Sequence, residues 1–172
     1  MRLTELTEND ARAIARWRYP APYDCYDSPA WEQMEREGWA ICDDETRRTE
    51  FRAVRRDLTD AGDPANGPAG YVRFRPAADS LVLHLGLRPD LCGRGLGRAF
   101  LDLVIAEARQ RAGGLPLTLL VRRFNERAIA AYRHAGFEMI DRGGGIDDAP
   151  AQDPQERLTM VLPGRPPNLS SG

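Results

Sequence analysis

The chain contains no lysine: all 24 basic residues are arginine. GC-rich coding produces such usage, yet its consequences are chemical. A Walker-type phosphate loop needs its lysine at the phosphates, and Schiff-base catalysis needs a lysine amine; neither is available. Cysteine is scarce. Cys25, Cys42 and Cys92 have no paired or metal-ligand spacing, which predicts reduced thiols and no metal site. The formal net charge of −2 lacks the basic excess of a phosphate-backbone binder, so no nucleic acid partner is expected. No apolar run approaches the roughly 20 residues that span a bilayer. The opening "MRLTELTEND" is polar, without the apolar core of a secretory signal. These absences predict a cytoplasmic protein with no membrane partner.

What is present is the composition of a globular protein: 172 residues, 42% hydrophobic and 29% charged. One domain is expected over residues 1–163, with "GRPPNLSSG" (164–172) as a disordered tail. "TELTENDARAIARWR" (4–18) reads as a helix with a capping-box-like Thr7 and Asp10 and a stripe of Leu6, Ile14 and Trp17. A loop rich in proline and tyrosine follows, then a short helix over 28–37. "EFRAVRR" (50–56) and "GYVRFRP" (70–76) alternate as the two strands of a hairpin with a long connection. "SLVLHLGL" (80–87) reads as a central strand buried on both faces. The period changes to 3.6 over 97–112, where Phe100, Leu101, Val104, Ile105 and Ala108 share one side, and Gly113-Gly114 ends the helix. A buried strand (115–121) follows, then a helix from Asn125 to Gly136, a strand (137–141), a loop (142–155) and a last strand (157–163). Strand, turn, helix, strand is a βαβ unit with parallel strands. Antiparallel strands flank it, so the fold class expected is α/β, a mixed sheet with helices on both faces.

Between the central strand and the long helix lies "DLCGRGLGRAF" (90–100), whose glycines cost conformational entropy. A phosphate, a tight turn or a close packing contact would each account for them. Helix N-termini carry unpartnered N–H groups and partial positive charge, and glycines let a diphosphate lie against the backbone. The dinucleotide fingerprint G-x-G-x-x-G is not met, because Arg98 holds its last place. The next strand also ends in Val121-Arg122-Arg123 rather than an acidic residue.

Two segments together carry a stronger signal: "RPDLCGRGLG" (88–97), and Asn125, Ala128, Tyr132, Gly136 and Phe137 in "NERAIAAYRHAGF" (125–137). Here the sequence resembles the GNAT superfamily of acetyl-CoA-dependent N-acyltransferases, most strongly over residues 69–141. The first segment is similar to its pyrophosphate-binding motif Q/R-x-x-G-x-G/A, except that Cys92 stands where Gln or Arg is usual. The resemblance implies two central parallel strands that splay apart, with Gly86 suited to a bulge in the earlier one. It implies that the backbone of Leu85, Gly86 and Leu87 pairs with the pantetheine amides. Cys92, Gly93, Arg94, Gly95, Leu96, Gly97 and Arg98 would surround the pyrophosphate, Asn125 would hydrogen-bond the pantetheine arm, and Ala128 would line the same site. Tyr132 would direct its hydroxyl at the thioester sulfur.

The activity so implied is direct transfer of an acetyl group from a CoA thioester to a primary amine of a small molecule or peptide. A backbone N–H in the central strand serves the oxyanion. Tyr132 serves as general acid to the departing thiolate. Of the two strands that usually supply a base, one offers none and the other only His84, a base or water relay; Glu138 is a further option. In this family the first helices and their loop shape the acceptor site. Here that loop offers an aromatic wall of Trp17, Tyr19, Tyr23 and Tyr26, with Asp24 and Asp27 facing a cationic amine. The 142–155 loop is a candidate lid, and a homodimer is a family expectation. The competing readings are a catalytically silent acyl-CoA sensor and a module for nucleotide phosphates.

Overall fold

A computed structural model of the chain describes residues 1–56, 67–140 and 157–164. The 142–155 loop expected as a lid and nearly all of the expected tail lie outside the described residues. By internal contacts the chain divides into two compact units, Met1–Arg73 with Leu85–Leu103, and Phe74–His84 with Val104–Gly172. Among the described residues seven strands form one mixed sheet in the order β1-β2-β3-β4-β5-β7-β6.

The first unit opens with β1 (Arg2–Glu5) rather than with helix. It pairs antiparallel with β2 (Phe51–Arg55), which sets Glu5 opposite Arg52. Helix α1 then covers Glu8–Ala15. Thr7 and Asp10 make a full capping box: Thr7 accepts from the Asp10 N–H, and the Asp10 carboxylate accepts from the Thr7 N–H at 3.1 Å. The same carboxylate is buried and receives Arg55 at 2.8 Å on both oxygens. The cap therefore also ties α1 to the sheet. Helices α2 (Trp31–Arg36) and α3 (Asp44–Glu50) follow. The core here is Leu6, Ala11, Ile14, Trp31, Met34, Phe51 and Ala53, with Trp17 and Tyr71 packed against it. Strand β3 (Gly70–Pro76) completes the expected hairpin, with Phe51 opposite Arg73 and Val54 opposite Gly70.

Strand β4 (Leu81–Leu87) is buried over its first three residues and half-buried over its last four, so burial on both faces holds only for its start. It runs parallel to β5 (Leu117–Arg122), and the register covers Leu81 to Leu83 against Leu117 to Leu119. Helix α4 spans Gly97–Ala112, as its periodicity predicts, and Gly113 leaves it at φ +57°. Helix α5 (Glu126–His134) leads to β6 (Glu138–Ile140), and β7 (Arg157–Leu162) lies antiparallel to both β5 and β6. Phe74, Val82, Val104, Ala108, Leu117, Leu119 and Met160 are fully enclosed side chains of this second unit. Among the described residues no helix is long and apolar enough to cross a membrane.

Candidate active site

The glycine turn is built from the chain that leaves β4. Arg88 is buried, and its backbone N–H donates to the Ala69 carbonyl at 2.8 Å. Its guanidinium holds Asp90 in a two-point contact, Nε to Oδ1 at 2.7 Å and Nη2 to Oδ2 at 3.2 Å. Pro89–Leu91 form a single 3-10 turn, closed by the Leu91 N–H on the Arg88 carbonyl. The Cys92 thiol faces inward, 3.6 Å from the carbonyls of both Leu87 and Arg88. Cys92 thus closes the strand end, where a long polar side chain is usual in the related motif.

Gly93 and Gly95 have φ of +77° and +75°, the left-handed region that L side chains avoid. A Cβ built at Gly93, Gly95 or Gly97 meets nothing within 4 Å. Close packing therefore does not explain these glycines. At Gly93 and Gly95 the backbone conformation does, and the space over all three is open. The turn delivers the chain into the N-terminus of α4, a 16-residue helix with no acidic residue in its first turn. Arg98 is exposed there, with Asp102 one turn on at 3.7 Å. A backbone curl with open N–H groups at the positive end of a long helix suits an anion such as a diphosphate.

The end of β4 carries a second feature. The Tyr19 hydroxyl donates to the Leu87 carbonyl at 2.9 Å. Beside it, the Tyr71 ring lies over Gly86, where an added Cβ would come 2.7 Å from Tyr71 Cε1. Trp17 packs on Tyr71, with ring centroids 6.0 Å apart and planes tilted by 46°. Burial pushes the Tyr71 phenol above its ordinary value.

The aromatic loop is ordered by its own contacts. Tyr23–Tyr26 form a 3-10 turn, and Tyr19 and Tyr26 meet edge to face at 6.3 Å. Tyr23 is half-buried and Tyr26 exposed. Asp27 accepts from the Tyr19 N–H at 2.8 Å and sits 3.9 Å from Arg18. Its carboxylate closes the loop, and Asp24 is exposed.

In the second unit Asn125 caps α5, its Oδ1 accepting from the Ala128 N–H at 3.2 Å. Asn125, Ala128 and Tyr132 are spaced by three and four residues, which places them along one face of the helix. The Tyr132 ring lies 6.0 Å from Phe137, and the Phe137 N–H donates to the Tyr132 carbonyl at 3.0 Å. His84 is half-buried on β4, and Glu138 is exposed on β6. The structure thus brings Trp17, Tyr19, Gly86, Leu87 and Cys92 together at one strand end, and aligns Asn125, Ala128 and Tyr132 on one helix. The sequence assigns Tyr71 no site role and shows Arg88 only as the first residue of the glycine motif. Tyr71 was visible only as the aromatic on the opposite face of β3 from Val72 and Phe74. Nothing in the sequence marks Arg88 as buried.

A parallel β4–β5 pair joined through a glycine turn and a long helix, in a sheet whose β1–β2, β2–β3, β5–β7 and β6–β7 pairs are antiparallel, matches the fold of the N-acetyltransferases. The chain belongs to the acetyltransferase (GNAT) family, whose model matches residues 10–137. It is similar in structure to the ribosomal-protein-S18-alanine N-acetyltransferase of Escherichia coli, with a TM-score of 0.62, 22% identity, and 99% and 97% of the two chains covered. The phosphinothricin acetyltransferase of Sinorhizobium meliloti, solved with acetyl-CoA, aligns with a TM-score of 0.61 and 17% identity over 95% of this chain and 88% of that one. In sequence, the chain is 38% identical over 78 residues to the mycothiol acetyltransferase of Propionibacterium freudenreichii subsp. shermanii, 45% of this chain and 23% of that protein. It spans about a quarter of the length of the curated relatives it matches. The family uses acetyl-CoA.

Proposed function

We propose that this chain is an acetyl-CoA-dependent N-acetyltransferase that acylates a primary amine of a small molecule or peptide. The observation that carries the reading is the open turn: two left-handed glycines with free space over the backbone, feeding the N-terminus of a 16-residue helix. The N–H groups from Gly93 to Arg98 hold the pyrophosphate. The backbone of Leu85, Gly86 and Leu87 takes the pantetheine arm. The Leu87 carbonyl itself is engaged at this strand end, accepting from the Tyr19 hydroxyl at 2.9 Å with the Cys92 thiol at 3.6 Å. The family resemblance assigns Asn125 and Ala128 to the same arm.

Bound acetyl-CoA supplies an activated thioester. The chain's own residues supply the protons and their places. Tyr132 holds a proton on its phenol oxygen for the departing thiolate, and His84 accepts the one the amine must lose. Trp17, Tyr19, Tyr23 and Tyr26 bound the acceptor, offering aromatic faces that favour a cation.

Thiol release from acetyl-CoA with a panel of primary amines tests the activity, and calorimetric titration with CoA and with ADP tests the site. Turnover on at least one amine and CoA binding well above that of ADP are expected. Saturable CoA binding with no turnover on any amine would identify a sensor. Equal binding of ADP and CoA would identify a nucleotide-phosphate module.

A further inference from the structure

We infer that Tyr71 sets the length of the acyl group this chain accepts, by covering the α-carbon of Gly86 at the strand end that holds the thioester arm. The inference rests on the coenzyme A reading above and adds a substrate limit to it.

The geometry is specific to this pair. A Cβ at Gly86 would lie 2.7, 3.3 and 3.4 Å from Cε1, Cζ and Cδ1 of Tyr71, three successive atoms along one edge of the ring. The ring therefore rests on the backbone of β4, and the glycine exists to admit it. Displacing it is costly, because Trp17 stands on Tyr71 and is itself packed against the core formed around α1, α2 and β2. Gly86 also precedes Leu87, whose carbonyl carries the Tyr19 hydroxyl. Two consecutive residues of the strand are thus roofed by aromatic side chains from β3 and from the loop after α1. An acetyl methyl fits beside such a roof. Each further methylene has to push against a braced ring, and well-packed sites resist added methylenes.

Calorimetric titration of the full chain with CoA, acetyl-CoA and hexanoyl-CoA tests this without any acceptor amine. The native chain is expected to bind hexanoyl-CoA ~10-fold more weakly than acetyl-CoA. Tyr71→Ala should bring the two within about twofold of each other. Tyr71→Leu, which keeps an apolar filler without the ring, should narrow the gap in the same direction if the alanine variant does not fold. Tyr71→Phe keeps the ring and should keep the discrimination. Equal binding of the two thioesters by the native chain overturns the inference, as does an undiminished gap in Tyr71→Ala or Tyr71→Leu. Failure of CoA itself to bind the native chain overturns the coenzyme A reading and this inference together.

Discussion

Single residues carry the proposed chemistry, and Tyr132 is the one with the clearest consequence. A phenol with an ordinary value near pKa 10 retains its proton at neutral pH and can give it to a thiolate as the carbon–sulfur bond breaks. Tyr132→Phe preserves the ring beside Phe137 and removes only the hydroxyl, so the fold should persist. With a competent amine, steady-state kinetics should show kcat reduced by roughly 100-fold with the KM for acetyl-CoA within about twofold. An unchanged kcat would remove Tyr132 from the acid role. Cys92 shows the opposite case: an unusual residue at a motif position whose thiol turns inward to two carbonyls and leaves the backbone curl to bind.

At the scale of elements, Asp10 joins three features in one carboxylate: the cap of α1, the Thr7 hydroxyl at 2.8 Å and the Arg55 guanidinium. Its side chain is 8% exposed and that of Arg55 26%, so the pair is shielded but not dry. Asp10→Ala should lower unfolding stability by about 2–3 kcal/mol in urea melts, more than the ~1 kcal/mol of a lost cap alone. A loss no larger than a cap's would show that Arg55 contributes nothing. This region also marks the limit of what the sequence discloses. The capping signal at Thr7 and Asp10 is legible, but "RLTE" is too short to show a strand period, and the helix expected over 4–18 overlaps the last two residues of β1. Helix α3, "DETRRTE", has no apolar residue to reveal a period. It is made by the Asp43 cap on the Thr46 N–H and by buried Arg47 reaching the carbonyls of Ile41 and Cys42. Helices α4 and α5 were readable because their stripes and terminal signals agree. In the candidate site, Asn125 and the glycine turn were legible as local chemistry. The Tyr19 bond to Leu87, 68 residues away, and the Tyr71 cover on Gly86 are tertiary contacts that no local pattern encodes.

At the scale of the whole molecule, two carboxylates and two partly buried groups among the described residues have shifted protonation that acts at opposite ends of the pH range. Asp43 is held below the usual carboxylate range by its hydrogen bonds from Thr46, and Glu37 by those from Gln33 and Trp39. Both favour the fold above the ordinary carboxylate value, and that contribution is lost as pH falls through their lowered ones; both are exposed, so the acid effect is small. The alkaline side is governed by burial. The Cys42 thiol is raised by desolvation and then by Glu35, and the Tyr71 phenol by desolvation. Each keeps its proton in the folded chain at a pH where the unfolded chain has lost it. Between the ordinary and the raised value the native state binds more protons, so stability falls as pH rises. Urea midpoints should therefore hold level near neutrality and decline above about pH 8.5, the ordinary thiol value, then more steeply above about pH 10, the phenol value. Cys42→Ala should abolish the first part of the decline and Tyr71→Phe the second. A Tyr71→Phe chain that declines above pH 10 as steeply as the native one would show that the phenol stays solvated, and that its ring does not seal the end of β4.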